Sequence, residues 1–254
     1  MPEGSERAIH DRLEALFGDA ALPRDVGVLH VLSTWRDEDQ ARVIRITPQS
    51  PKSPTDFFLL NLARARADAI VVTGKILRDE PHLRYDLQGE AAGDLHAWRH
   101  AAMERSDPPR VVVLTSGRDL DLDHPTFHGW ARPVIATGPE AACRLRGPAS
   151  DRRIEIATLA NPGIREAIRW CQAGGAATVS VEAGPSTARA LYADPPAVDE
   201  LLLSEFLEPD LPHDLRGPSA FDRPPGGLGF RRLSPGVTRS EPSGRWRFTR
   251  LSRV

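Results

Sequence analysis

Short, strongly apolar runs alternate with helical patterns along most of this chain, and that alternation limits its possible architectures more than any single residue does. "AIVVT" (69–73), "PRVVVLTS" (109–116), "RPVIATG" (132–138) and "IEIAT" (154–158) are such runs, and "TVSV" (178–181) follows them. Between them lie helical stretches at 93–105, at about 139–146 and at 162–173, with another starting at Ser186. Buried strands separated by helices are the signature of an α/β domain with a mostly parallel central sheet flanked by helices. "VDELLLSEF" (198–206) reads as a further strand.

The flanks read differently. Residues 5–18 place Ile9, Leu13, Leu16 and Phe17 on one helical face, with Ser5 as a candidate cap and Gly18 as the stop. We take residues 1–21 as an N-terminal helical extension and 22–254 as the main domain. A strand at 26–32 and a hairpin partner at 41–46 flank the charged turn "STWRDEDQ". Ser53-Pro54 is a cap followed by a first-turn proline, opening the helix "TDFFLLNLARARA" with Phe57, Leu60 and Leu62 among its apolar positions. Strands at about 229–233 and 245–251 suggest a C-terminal antiparallel hairpin across "SPGVTRSEPSG".

The stretch that carries chemistry is "TVSVEAGPS" (178–186). A buried strand delivers Glu182 to its carboxyl end, where open α/β sheets place their ligands. Gly184 lets a ligand approach the backbone, Pro185 suits a first helical turn, and Ser186 adds a hydroxyl where unpaired N–H groups attract an anion. The alternative is an ordinary strand-to-helix turn.

Composition narrows the partners. A formal charge of -2 gives no global attraction to nucleic acid, and no apolar run reaches the length of a membrane span. Two separated cysteines and eight unclustered histidines suggest reduced thiols, a cytoplasmic setting and no metal site. His30 reads as a core residue. The only lysines are Lys52 and Lys75.

Three segments in order resemble one family. "RARADAIVVTGKILRDEPHLR" (64–84), "PRVVVLTSGRDLDLDHPTFHGWARPVIAT" (109–137) and "VSVEAGPSTARALYADPPAVDELLLSEF" (179–206) are similar to the riboflavin-biosynthesis pyrimidine reductases. The resemblance covers roughly residues 53–206. It implies a dihydrofolate-reductase-like fold and use of NADPH to reduce the ribosyl group of an aminopyrimidine ribosylphosphate to ribityl. The H-x-E and P-C-x-x-C signature of the deaminase often fused to these enzymes is absent. The resemblance further implies a homodimer, for which "VDELLLSEF" is apolar enough to pair.

Carried over by position, the resemblance puts Thr73, Gly74 and Lys75 in a turn touching NADPH, with Ser116, Gly184, Pro185 and Ser186 also on the cofactor. It makes Asp79 and Glu182 the catalytic acids, and Ser53, Arg64, Leu83, Arg84 and Glu182 the substrate contacts. Lys52 falls in a loop at the same cleft. Three departures stand out. Asp86 occupies the place of a basic residue for the substrate phosphate, the first strand keeps Ser33 but lacks the Asp-Gly turn, and "LEPDLPHDL" replaces a glycine-rich loop. Two readings follow: an NADPH-dependent reductase with an altered pocket, or a paralogue that binds a nucleotide without turnover.

Overall fold

Alternate residues of β3 (Ala69–Thr73) enter two different cores, and that alternation organises the whole molecule. Val71 joins a cluster with Val112, Val134 and Val179, whereas Ile70 and Val72 pack with Val111, Val113 and Ile135 on the other face. A strand apolar on both sides has to be covered on both sides.

The computed structural model describes residues 2–18, 22–37 and 40–254. In chain order its elements begin with α1 (Pro2–Phe17), β1 (Gly27–Asp37), β2 (Gln40–Ile44), α2 (Pro54–Arg66) and then β3. Next come α3 (Gly74–Asp79), α4 (Ala92–Ala101), β4 (Arg110–Leu114), β5 (Arg132–Thr137) and α5 (Pro139–Asp151). They are followed by β6 (Glu155–Thr158), α6 (Ile164–Ala173), β7 (Thr178–Glu182), α7 (Pro185–Ala188) and β8 (Glu200–Phe206). The chain closes with β9 (Arg216–Ser219), β10 (Phe230–Arg232), β11 (Val237–Glu241) and β12 (Gly244–Arg253).

All the strands belong to one sheet, ordered β10-β12-β8-β1-β7-β3-β4-β5-β6, with β2 beside the far half of β1 and β9 beside β2. From β8 through β6 the pairings are parallel, while β12 runs antiparallel to β8. One face is covered by α6, through Ile164, Ala167 and Ile168. The other carries α1, α2 and α4, whose Leu13, Leu59, Leu62 and Trp98 pack with Leu29, Leu202 and Phe248. Ile9, Leu16 and Phe17 of α1 share this second core.

The local chemistry explains the element boundaries. Ser53 caps α2, its Oγ accepting from the Asp56 N–H at 2.9 Å, and Pro54 occupies the first turn. Asp68 ties β3 to β7: its Oδ2 accepts from the N–H groups of Ala177 and Thr178 at 3.0 and 2.8 Å, and its Oδ1 from Arg105 Nε at 2.7 Å. Burial opposes the Asp68 carboxylate, but these donors outweigh it and hold its pKa below the usual value.

Several expectations are corrected. α1 begins at Pro2, so Ser5 lies inside it, although Gly18 does end it in the left-handed region with φ 71°. β1 runs on to Asp37, since Thr34–Asp37 pair with β2 instead of forming a turn. Phe57 is 41% exposed, its ring lying over Gly89, where a Cβ would come within 2.9 Å of it. The late hairpin is β11–β12, with β10 pairing on the far part of β12, because Val237–Glu241 is itself a strand. β8 is buried along its whole length between β1 and β12, so its apolar character serves this chain's own sheet and offers no dimer edge. Among the described residues, no helix is long and apolar enough to cross a membrane.

His30 lies buried in β1, its Nδ1 sharing a 2.6 Å hydrogen bond with the Tyr192 hydroxyl. Burial pushes its pKa down to about 4. The folded state therefore resists a proton that the unfolded chain accepts near pH 6.5. Stability is fully present above that value and is lost as pH falls toward 4, by up to about 3 kcal/mol. Urea midpoints across this range should fall more steeply for the wild type than for His30→Gln.

Candidate active site

The carboxyl ends of β3, β4 and β7 finish level with one another, Thr73 beside Leu114 and Val72 beside Glu182. β1 pairs with β7 as far as His30 and with β2 from Thr34 onward, so residues 31–33 have no strand partner on that side. The sheet therefore has a notch where β7 stops, and the β7–α7 junction lies at its edge. Chain order also reverses here: β3 to β6 step outward, and β7 then returns between β1 and β3. Open α/β sheets bind ligands at such a switch point.

The centre of the site is an ion pair. Arg64 on α2 meets Glu182 in a two-pronged contact, Nε to Oε1 and Nη2 to Oε2, both at 2.7 Å. The side chains are 4% and 12% exposed. Burial opposes the Arg64 charge, but Glu182 outweighs it and raises the guanidinium pKa. Planar bidentate pairing fixes both groups in place. The Arg64 guanidinium also lies 4.8 Å from the centre of the Tyr85 ring, and its Nη1 donates to the Asp86 carbonyl at 3.4 Å.

Around this pair the other expected residues divide. Thr73 ends β3, and Gly74 starts α3 with no intervening turn, which corrects the expected glycine turn. A Cβ on Gly74 would fall 2.9 Å from Thr115 Oγ1, so the helix can begin here only because residue 74 lacks one. Lys75 and Asp79 form an exposed ion pair along α3, a weak surface contact that leaves both available to a ligand. Ser116 is exposed just past β4. At Gly184 no protein atom lies within 4 Å of a Cβ position, Pro185 opens α7, and Ser186 is exposed.

On the expected substrate side, Ser53 is buried and its oxygen is committed to capping α2. Leu83 is half-buried with its carbonyl bonded to Thr126 Oγ1, and Arg84 is exposed. The carboxylate of Asp86 accepts from the Trp130 N–H at 2.7 Å, so it anchors that loop. The Lys52 carbonyl accepts from Ser243 Oγ, on the β11–β12 turn.

Two residues escaped the sequence reading. Tyr85 is 1% exposed, and its hydroxyl has no hydrogen-bond partner among the described residues. Burial and the charge of Glu182 push its pKa up, against the pull of Arg64. Asp56 accepts from Ser33 Oγ at 2.8 Å, while its Oδ1 is buried without a partner. Burial raises its pKa, against the hydrogen bond from Ser33. The sequence signal at Asp56 was an acid three residues after a serine cap, which reads as helix capping. Because its ionised form is disfavoured on folding, the carboxylate detracts from stability at neutral pH. Asp56→Asn should leave the melting temperature at pH 7 unchanged or higher, as a thermal denaturation scan would show.

No protein-family model matches this sequence, and no curated protein matches it. Solved structures do. The chain has the dihydrofolate-reductase-like reductase fold. Within that fold it is similar to a pyrimidine reductase-like protein from Corynebacterium diphtheriae, with 19% identity, 98% of each chain covered and a TM-score of 0.66. It is also similar to RibD from Acinetobacter baumannii, at 13% identity and a TM-score of 0.61, over 91% of this chain and 58% of that one. The riboflavin biosynthesis reductase Rib7 from Saccharomyces cerevisiae matches over 99% of both chains, at 12% identity and a TM-score of 0.54.

Proposed function

We propose that this chain is an NADPH-dependent reductase of the riboflavin pyrimidine reductase family, acting on an aminopyrimidine ribosylphosphate or a related ribosyl compound. We take it to work as a cytoplasmic homodimer. The observation that carries the reading is the meeting of the β3–α3 and β7–α7 junctions at one notch. These segments lie more than a hundred residues apart in sequence, and both were singled out by the same resemblance.

The residues present fit the cofactor. The open space over Gly184 admits a backbone approach, the exposed Ser186 hydroxyl can meet a phosphate, and the buried Tyr85 hydroxyl still lacks a partner. When bound, NADPH supplies the hydride. The protein's part is orientation and charge complementarity. Glu182, oriented by the two-pronged contact with Arg64, is suited to accept hydrogen bonds from ribose hydroxyls. Asp79, exposed and ion-paired with Lys75 at the end of α3, is the second candidate acid. Because the Asp86 carboxylate is turned to Trp130, we assign the substrate phosphate to Arg84.

The second reading, a nucleotide-binding paralogue without turnover, is favoured by the mutual neutralisation of Arg64 and Glu182. Melting temperature with and without NADPH, followed by NADPH consumption with the pyrimidine substrate, separates the two. A rise in melting temperature with consumption supports the reductase, a rise without consumption supports the paralogue, and no rise contradicts both. In an active protein, Arg84→Ala should raise the KM for the phosphorylated substrate while leaving kcat near wild type.

A further inference from the structure

At the opposite edge of the sheet, where the parallel strands begin, lies a second polar cavity of about 330 Å³. Arg110 and Arg132 sit at the first residues of β4 and β5, and Arg99 comes from the last turn of α4. Arg24 and Arg105 complete its cationic side. The carboxylates lining it are Asp68, Glu104 and Asp107, with Asp25 bonded to Arg105 at 2.9 Å.

The pairing is incomplete. Arg24 is paired with Glu104, Arg105 is held by Asp68 and Asp25, and Arg132 has only a loose, exposed contact with Asp107 at 3.8 Å. Arg99 is 4% exposed and meets no carboxylate among the described residues. Its Nη1 donates to the carbonyls of Ala65 and Ala67 and its Nη2 to that of Asp107, while its Nε is buried with no partner. Arg110 lies over the Trp170 ring, 5.7 Å from its centre, and also lacks a carboxylate partner among the described residues. A buried guanidinium bonded only to neutral carbonyls keeps most of its desolvation cost uncompensated. Burial and the like charge of Arg105 push the Arg99 pKa down to about 10, despite Asp68 and Asp107.

We propose that this cavity is a binding site for a phosphate-bearing polyanion, separate from the crevice at the other end of the strands. Several guanidinium groups round one cavity match an oxyanion carrying more than one charge, since each planar fork can take two oxygens. The cavity has room for a ligand of pyrophosphate size. Asp107 and Glu104, 79% and 69% exposed, can swing aside on entry. Because β3 and β4 start at this cavity and end at the crevice, occupancy here is positioned to bias the site at their far ends.

The test is calorimetric titration of the whole protein with inorganic pyrophosphate at fixed ionic strength. The double variant Arg110→Gln, Arg132→Gln should weaken binding by at least about tenfold, from the loss of charge-assisted hydrogen bonds. Arg132→Gln alone, on a side chain 55% exposed, should give a smaller loss without disturbing the fold. Urea midpoints without ligand show whether each variant is folded. Arg144→Gln, an exposed arginine on α5 outside the cavity lining, should bind pyrophosphate like the wild type. Failure of the wild type to bind overturns the proposal. So does undiminished binding by both arginine variants, or an equal loss of binding in Arg144→Gln.

Discussion

Glu200→Ala is expected to cost about 4 kcal/mol or more of folding stability, the largest single effect in the molecule. Glu200 on β8 accepts from Arg66 Nη1 at 2.5 Å and from Arg250 Nη2 at 3.0 Å, and the three side chains are 2%, 0% and 6% exposed. Burial opposes its ionised form, but the two guanidinium groups outweigh that and lower its pKa. Without the carboxylate, two cations remain buried together between α2 and the sheet. Since domains hold only about 5–15 kcal/mol in total, the variant should lose a large part of its stability margin. Urea denaturation measures the loss. Replacing all three residues with apolar ones of similar volume should recover most of it, because the penalty arises from unpaired charge and not from lost packing. If Glu200→Ala costs less than about 1 kcal/mol, the triad is not carrying buried charge.

Gly184→Asp should abolish NADPH binding while leaving the fold intact. A Cβ at this position meets no protein atom within 4 Å, and φ is -60°, so a side chain is tolerated by the apoprotein. The added carboxylate would stand at the β7–α7 junction, where the account puts the cofactor phosphates, and like charges at that range repel strongly. Calorimetry with NADPH, alongside urea midpoints of both proteins, is the check. Unchanged binding by folded Gly184→Asp would remove the cofactor from this junction.

The parallel core was legible because "AIVVT" and "TVSV" are too short and too apolar for surface elements, and they became adjacent strands. Places where tertiary pairing outvotes local chemistry were less readable. "STWR" looked like a charged turn, yet Trp35 is buried and its ring N–H donates to the Glu208 carbonyl. In the site, Glu182 and Gly184 could be found from a strand that ends in an acid and a glycine. The partnership of Arg64 with Glu182 could not, because the two residues lie 118 positions apart and only the sheet order joins them. Asp86 shows the same limit. Its number put a carboxylate at a phosphate corner, but its side chain turns to the Trp130 N–H, a contact with no local signature.

In the proposed reaction, hydride passes from NADPH to the ribosyl carbon of a pyrimidine substrate bound at the notch. NADPH carrying deuterium in the transferred position at nicotinamide C4 makes that passage visible. The aminopyrimidine ribosylphosphate should be converted to its ribityl form with one deuterium on the former anomeric carbon, and Glu182→Gln should slow this conversion. Stable binding of NADPH with no label transferred to any ribosylated pyrimidine would rule the reaction out.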